Sequence, residues 1–158
     1  MFRPMRRQKK ALPPEAAEAL LREERRGVLA VNGDDGYPYA IPVNFLYDPD
    51  TRRIYFHGAR AGHKADALRR SDKVCFTVYG HETVKQESWA PYVQSVVAFG
   101  RCRLLPTDPV DTALLRRIAR KYYPEESLID GEIASSGKAV QLYEIEIEHL
   151  TAKEIQER

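Results

Sequence analysis

The stretch Tyr37 to Tyr47, YPYAIPVNFLY, decides how this chain is read. Tyr39, Ile41, Val43, Phe45 and Tyr47 fall on every second position, the period of a strand that turns one face to a core. VLAVN (28–32) precedes it and GDDG (33–36) lies between, so the region predicts strand, tight turn, strand. Asp48, Pro49 and Asp50 then make a second turn. RIYFH (53–57) forms a third strand with Ile54 and Phe56 on one side and Tyr55 and His57 on the other, and KVCFTVY (73–79) supplies a fourth. Strands linked in succession by hairpins imply an antiparallel sheet or barrel.

Outward from this centre the pattern alternates with helices. Pro13 and Pro14 suit a helix start, Ala17, Leu20 and Leu21 share one face, and Gly27 can close that helix. GHETVKQESWAP (80–91) reads as a long loop, and YVQSVVAFGRCRLL (92–105) as the longest strand, with Gly100 a candidate bulge. Asp108 as N-cap and Pro109 at the first position predict a helix whose Val110, Leu114, Ile118 and Tyr122 repeat until Pro124. A polar loop through SSGK leads to AVQLYEIEIEHL, where Tyr143, Ile145 and Ile147 oppose Glu144, Glu146 and Glu148. The sum is about six strands and three helices in one α+β domain, residues 11–158, behind a basic arm, residues 1–10.

Composition narrows the class. A chain of 158 residues buries roughly 70% of its unfolded surface and needs no metal or disulfide to fold. Its 25 Lys plus Arg against 23 Asp plus Glu create no single-sign field, which argues against nucleic acid as a partner. Cys75 and Cys102 sit in apolar runs without CxxC spacing and read as reduced, buried thiols. The basic opening is followed by LPPEAAEALLREE in place of an apolar signal segment, and no stretch is apolar enough to span a bilayer. The expected location is cytoplasmic.

The chemically suggestive stretch is YFHGARAGHKADAL (55–68). A helix N-terminus carries unpaired N–H groups and partial positive charge, so His63 and Lys64 at that position, with Gly58 and Gly62 permitting close backbone approach, suit an anion such as phosphate. The alternative is a turn whose polar residues face water. A metal held by His57 and His63 fits no standard ligand spacing, and no nucleophile elbow surrounds any serine.

Together GYPYAIPVNFLYD, IYFHGARAGHKADAL and KVCFTV resemble the pyridoxamine 5′-phosphate oxidase-like flavoproteins, in the branch related to nitroimidazole-resistance (Nim-type) proteins. The resemblance runs from about Ala11 to Lys153. It implies a six-stranded antiparallel split β-barrel of Greek-key type with flanking helices, and a homodimer with FMN at the subunit interface; F420, FAD and haem are the alternative cofactors. It places Ile41, Pro42, Val43 and Asn44 along the flavin ring, and His57, Gly58, Ala59, His63 and Lys64 at the ribityl phosphate. WAPYVQSV (89–96) is similar to a segment that reaches across the dimer, which implies Trp89 and Ser95 as cross-subunit contacts, although Gln94 and Ser95 stand where that segment has Arg and Gln. The C-terminal HLTAKEIQER lacks the substrate motif of the oxidases proper, which argues against pyridoxamine phosphate oxidation. The implied activity is electron transfer from a reduced nicotinamide to a small acceptor such as a nitroaromatic compound, with His57 as proton donor or substrate contact. A flavin-binding or sensing protein without turnover, or a haem protein using His149, are the competing readings.

Overall fold

The stretch Tyr37–Tyr47 is extended almost throughout, but its hydrogen-bonding partner changes part-way along. In the computed structural model, which describes residues 1–157, β2 (Pro38–Asn44) pairs with β1 (Arg26–Asn32), and β3 (Leu46–Asp48) pairs with β4 (Arg53–Ala59). Phe45 lies between them. The remaining strands are β5 (Lys73–Lys85), β6 (Ala90–Leu104) and β7 (Val140–Gln156), and the order across the sheet is β2-β1-β5-β6-β7-β4-β3 with every pairing antiparallel. One run of chain therefore forms both edges of the sheet, and its passage through Phe45 closes the split barrel. This makes seven strands instead of the expected six. The side-chain alternation continues through the break, so the pattern in sequence carries no mark of the change in partner.

Phe45 is completely buried, and its backbone is held by a side chain instead of a strand. The Tyr122 hydroxyl accepts from Phe45 N–H at 2.7 Å and lies 2.7 Å from Phe45 C=O and 2.6 Å from Arg25 C=O. Its single proton serves one of those carbonyls at a time. Tyr122 follows α3 (Thr112–Arg120), which is tied to the same region by Arg117 donating to Asp48 at 3.1 Å. Burial raises the Asp48 pKa, but the bonds from Arg117 and from the Asp50 and Thr51 backbone outweigh it and hold the carboxyl below its ordinary value.

The barrel interior is filled by alternate residues of the strands, among them Leu29, Val43, Phe45, Ile54, Phe56, Phe76 and Tyr143. α1 (Pro14–Glu23) adds Ala17, Leu20 and Leu21, as its spacing predicts. Gly27 does not close that helix; it lies in β1, where a side chain would collide with the Phe76 ring. A second cluster, Tyr55, Leu114, Leu115, Ile118 and Leu142, packs α3 against β4 and β7.

Three further expectations are corrected. The long loop at 80–91 is largely strand: β5 and β6 extend into it as an exposed hairpin with a register shift between Gly80 and Thr83, and its polar composition reflects solvent on both sides. The helix expected from Asp108 begins at Thr112, with Asp111 as N-cap accepting from Leu114 N–H at 2.9 Å. The polar loop expected through SSGK is instead a fourth helix, α4 (Glu126–Ser136), followed by one 3-10 turn at Gly137–Ala139. Gly100 does mark a register shift, against β7. The basic arm is not wholly solvated, since Phe2 stacks on His149 with ring centroids 4.9 Å apart.

Tyr122→Phe leaves the Phe45 backbone unpaired at the crossing and is expected to lower unfolding free energy by about 1–3 kcal/mol in urea titration; a change below about 0.5 kcal/mol contradicts the clamp. Beside it, Lys121 donates to the Glu24 carbonyl and stands 4.0 Å from the Phe45 ring centroid. Burial, with help from Arg25, brings its pKa from 10.5 to about 8. Between those values the unfolded chain binds more protons, so this group's contribution to stability rises with pH. Wild-type stability relative to Lys121→Met should therefore increase from pH 8 to 10.5, and a constant difference contradicts the assignment.

Candidate functional site

At the end of β4, Ile54 and Phe56 point into the core while His57 points outward, and the ladder with β7 continues to Ala59 opposite Val140. The chain then turns through Gly62, whose φ of 117° is open to glycine and strained for other residues. Gly62 is the N-cap of α2 (His63–Arg70) and has no side chain to accept from the first-turn N–H groups. The first-turn N–H groups of α2 therefore have no side-chain cap, and the positive end of the helix dipole lies at this turn. Arg69 donates to the Arg60 carbonyl at 2.8 Å and Arg60 donates to the Lys138 carbonyl, so both guanidinium groups hold the turn in shape.

Lys64 is different. Its Nζ stands 5.3 Å from the Phe56 ring centroid and 5.1 Å from that of Tyr143, two rings stacked at 4.7 Å. Among the described residues it forms no ion pair and no hydrogen bond; the rings are its partners. Burial lowers its pKa, with slight opposition from the Cys102 thiol. The Gly58 backbone lies directly beneath: a Cβ built there would stand 2.6 Å from Lys64 Nζ. Cys102 is itself buried and pushed up to about 12, an inert thiol, whereas Cys75 is only half-buried.

His63 does not share the free position of Lys64. Its ring stacks on Tyr39 at 4.0 Å and its Nε2 is 3.5 Å from Asp34, which also pairs with Arg70. It fastens α2 to the β1–β2 turn.

His57 and Asn44 meet in a cavity of about 180 Å³ walled by Leu115, Ile118, Ile129 and Ile133 from α3 and α4. Burial lowers the His57 pKa, the Lys64 charge lowers it further, and Glu132 opposes both. The imidazole is therefore neutral at pH 7. On β2, Ile41 and Val43 turn toward the core while Pro42 and Asn44 turn outward. Trp89 sits at the tip of the β5–β6 hairpin, 77% exposed with φ 48°, and Ser95 lies on the outer face of β6 opposite Tyr79 and Lys153. The fold thus joins Asn44 to His57 in the cavity and Gly58 to Lys64 at the strand end, with Ala59 next in β4, while His63 reaches the β1–β2 turn, at the other end of β2 from Asn44. Trp89 and Ser95 belong to a different part of the surface.

His149 stacks with Phe2 and Phe99, and its Nε2 is buried without a partner. An iron atom at that nitrogen would have to enter a packed ring cluster, so the residue does not fit a haem ligand as placed. Among the described residues no group of three or more His, Cys, Asp or Glu is positioned for a metal, and no helix is long and apolar enough to cross a membrane.

The family model for pyridoxamine 5′-phosphate oxidase matches residues 13–154. The chain belongs to that flavin-binding family. No curated protein matches the sequence. Among solved structures, a candidate 5-nitroimidazole antibiotic resistance protein from Bacteroides thetaiotaomicron is 18% identical over 92% of this chain and 87% of its own, with a TM-score of 0.73. An FAD-binding protein from Mesorhizobium loti is 22% identical over 92% and 97%, TM-score 0.67. An FAD and haem binding protein from Mycobacterium smegmatis is 18% identical over 96% and 75%, TM-score 0.71. At these identities the likeness is one of fold.

Sequence reading gave no site role to Phe56 and Tyr143 beneath Lys64, to Asp34 and Tyr39 beside His63, or to Glu132, which lines the cavity with His57. The last is on the missed helix, whose Ile129 and Ile133 do show helical spacing. Gly58→Ala should drive the Lys64 ammonium off the two rings and raise its pKa toward the ordinary lysine value in an NMR titration. Melting temperature should move by no more than about 2–4 °C, because only the far end of a flexible side chain must shift. An unchanged Lys64 pKa contradicts this geometry.

Proposed function

We propose that the chain is an FMN-dependent oxidoreductase that passes electrons from a reduced nicotinamide to a small acceptor, a nitroaromatic compound being one candidate. The observation that carries this reading is the unpaired Lys64 ammonium over the bare Gly58 backbone, beside a helix start with no capping side chain. A phosphate there would receive a point charge and backbone N–H donors together, and would relieve an ammonium whose only partners are rings. The residues present therefore fit a flavin phosphate. The terminal monophosphate of FMN suits one lysine and one helix start better than the internal diphosphate of FAD.

The flavin supplies the redox chemistry when bound. The chain's own residues bind, orient and gate. Lys64, Gly58 and the first turn of α2 hold phosphate; Pro42 and Asn44, turned outward on β2, flank the ring; neutral His57 offers one nitrogen as donor and one as acceptor to whatever lies in the cavity. No acid–base pair is required of the protein.

The outer face of the sheet supports a homodimer. Cross-strand neighbours form apolar rows there, Pro42–Val28–Thr77–Val97 and Ala40–Ala30–Cys75–Phe99, and Tyr79 is 69% exposed beside them. A partner on this face would bury those rows and bring its own Trp89 and Ser95 toward the flavin.

Lys64→Ala should weaken FMN binding by about 1.5–3 kcal/mol, roughly ten- to a hundredfold, with little effect on riboflavin, which lacks the phosphate. Equal losses for the two ligands in parallel fluorescence titrations contradict the cradle.

A further inference from the structure

The cavity in front of His57 has a character of its own. Its apolar walls include Leu115, Ile118, Ile129 and Ile133, and its polar residues are Asn44, His57, Glu132 and Ser136 with Tyr122 and Tyr123. At about 180 Å³ it is far smaller than the several hundred Å³ of a pocket for a drug-sized ligand. An apolar cavity of roughly 150 Å³ is known to accept benzene, so one ring with a short substituent matches its volume. A dinucleotide does not fit inside.

The charge of the lining is equally selective. Among the described residues no lysine or arginine lines the cavity, and Glu132 is its one formally charged side chain. Glu132, a solvent-exposed residue of α4, and His57 of β4 both line this space. The Lys64 charge reaches His57 from the other side of β4, but in the lining itself an anionic ligand would lose its hydration, meet a carboxylate and find no cation; an amine would find both the carboxylate and the Asn44 carbonyl oxygen as acceptors.

We propose that this cavity binds small single-ring amines in their cationic form and that Glu132 gives the preference. The selectivity stands on the cavity's lining alone, while its role as the substrate side of the flavin rests on the function proposed above. The site excludes phosphate- and carboxylate-bearing ring compounds, and so separates the substrate from the anion held at Lys64 on the other side of β4.

The test compares benzylamine, benzyl alcohol and benzoate, three ring compounds of similar size, by calorimetry on the FMN-loaded and the flavin-free protein, with FMN affinity measured on the same samples. Benzylamine should bind at least tenfold more tightly than benzoate, with benzyl alcohol between them. Glu132→Gln should reduce the benzylamine preference three- to tenfold. Ser136→Trp, at the exposed end of α4, and Ile133→Trp should both abolish binding by filling the space, and agreement of the two excludes an effect of misfolding in one. Benzoate binding as tightly as benzylamine, absence of binding by all three, or binding that survives both tryptophan variants overturns the proposal. Loss of FMN binding with benzylamine binding retained overturns the flavin reading and upholds the cavity.

Discussion

The barrel depends on how Phe45 is held. A strand that leaves one sheet edge to join the other must pass a point where its backbone has no strand neighbour, and a buried unpaired peptide group costs about as much as a lost hydrogen bond. The Tyr122 hydroxyl meets both groups of Phe45 at that point, and Arg117 holds Asp48 three residues on. Both come from α3 or its end. The helix is therefore part of the closure of the sheet as well as a cover for β4, and the cavity that it walls with α4 exists because the crossing fixes where α3 lies. Fold and site are coupled through this one contact.

The corner at the end of β4 follows a different logic. Arg60, Arg69, Arg70 and His63 all find partners within the protein, which leaves Lys64, among the described residues, as the cation of this corner with none but aromatic rings. Cation–π contacts are worth about 0.5–2 kcal/mol each and offset part of the desolvation that lowers its pKa. An anion at the same place would complete the arrangement. The neighbouring cavity carries a carboxylate, Glu132, in its lining, while the Lys64 charge reaches His57 from the other side of β4. A cationic corner and a largely apolar cavity on either side of one strand end suit the phosphate-anchored cofactor and separate substrate proposed above.

Much of this was legible in the sequence. The period-2 runs located the strands, the Ala17–Leu20–Leu21 face located α1, and the ordered set of segments pointed to the split-barrel family that the family match then showed. The crossing at Phe45 was hidden because alternation describes which face a residue takes and says nothing of which strand it bonds. The β5–β6 hairpin was hidden because a strand with solvent on both faces reads as a loop, and α4 because Gly131 and its serines mask the Ile129–Ile133 spacing. His63 shows the limit at the site: its place in the sequence is that of a phosphate contact, but only three dimensions bring Tyr39 and Asp34 to its ring.

The most direct test is the visible absorption spectrum of the purified protein without added cofactor, with any chromophore then released and identified by mass. The account predicts a flavin spectrum and FMN, at a stoichiometry approaching one per chain after reconstitution. Release of FAD, haem or F420, or a colourless protein that takes up no added FMN, contradicts it.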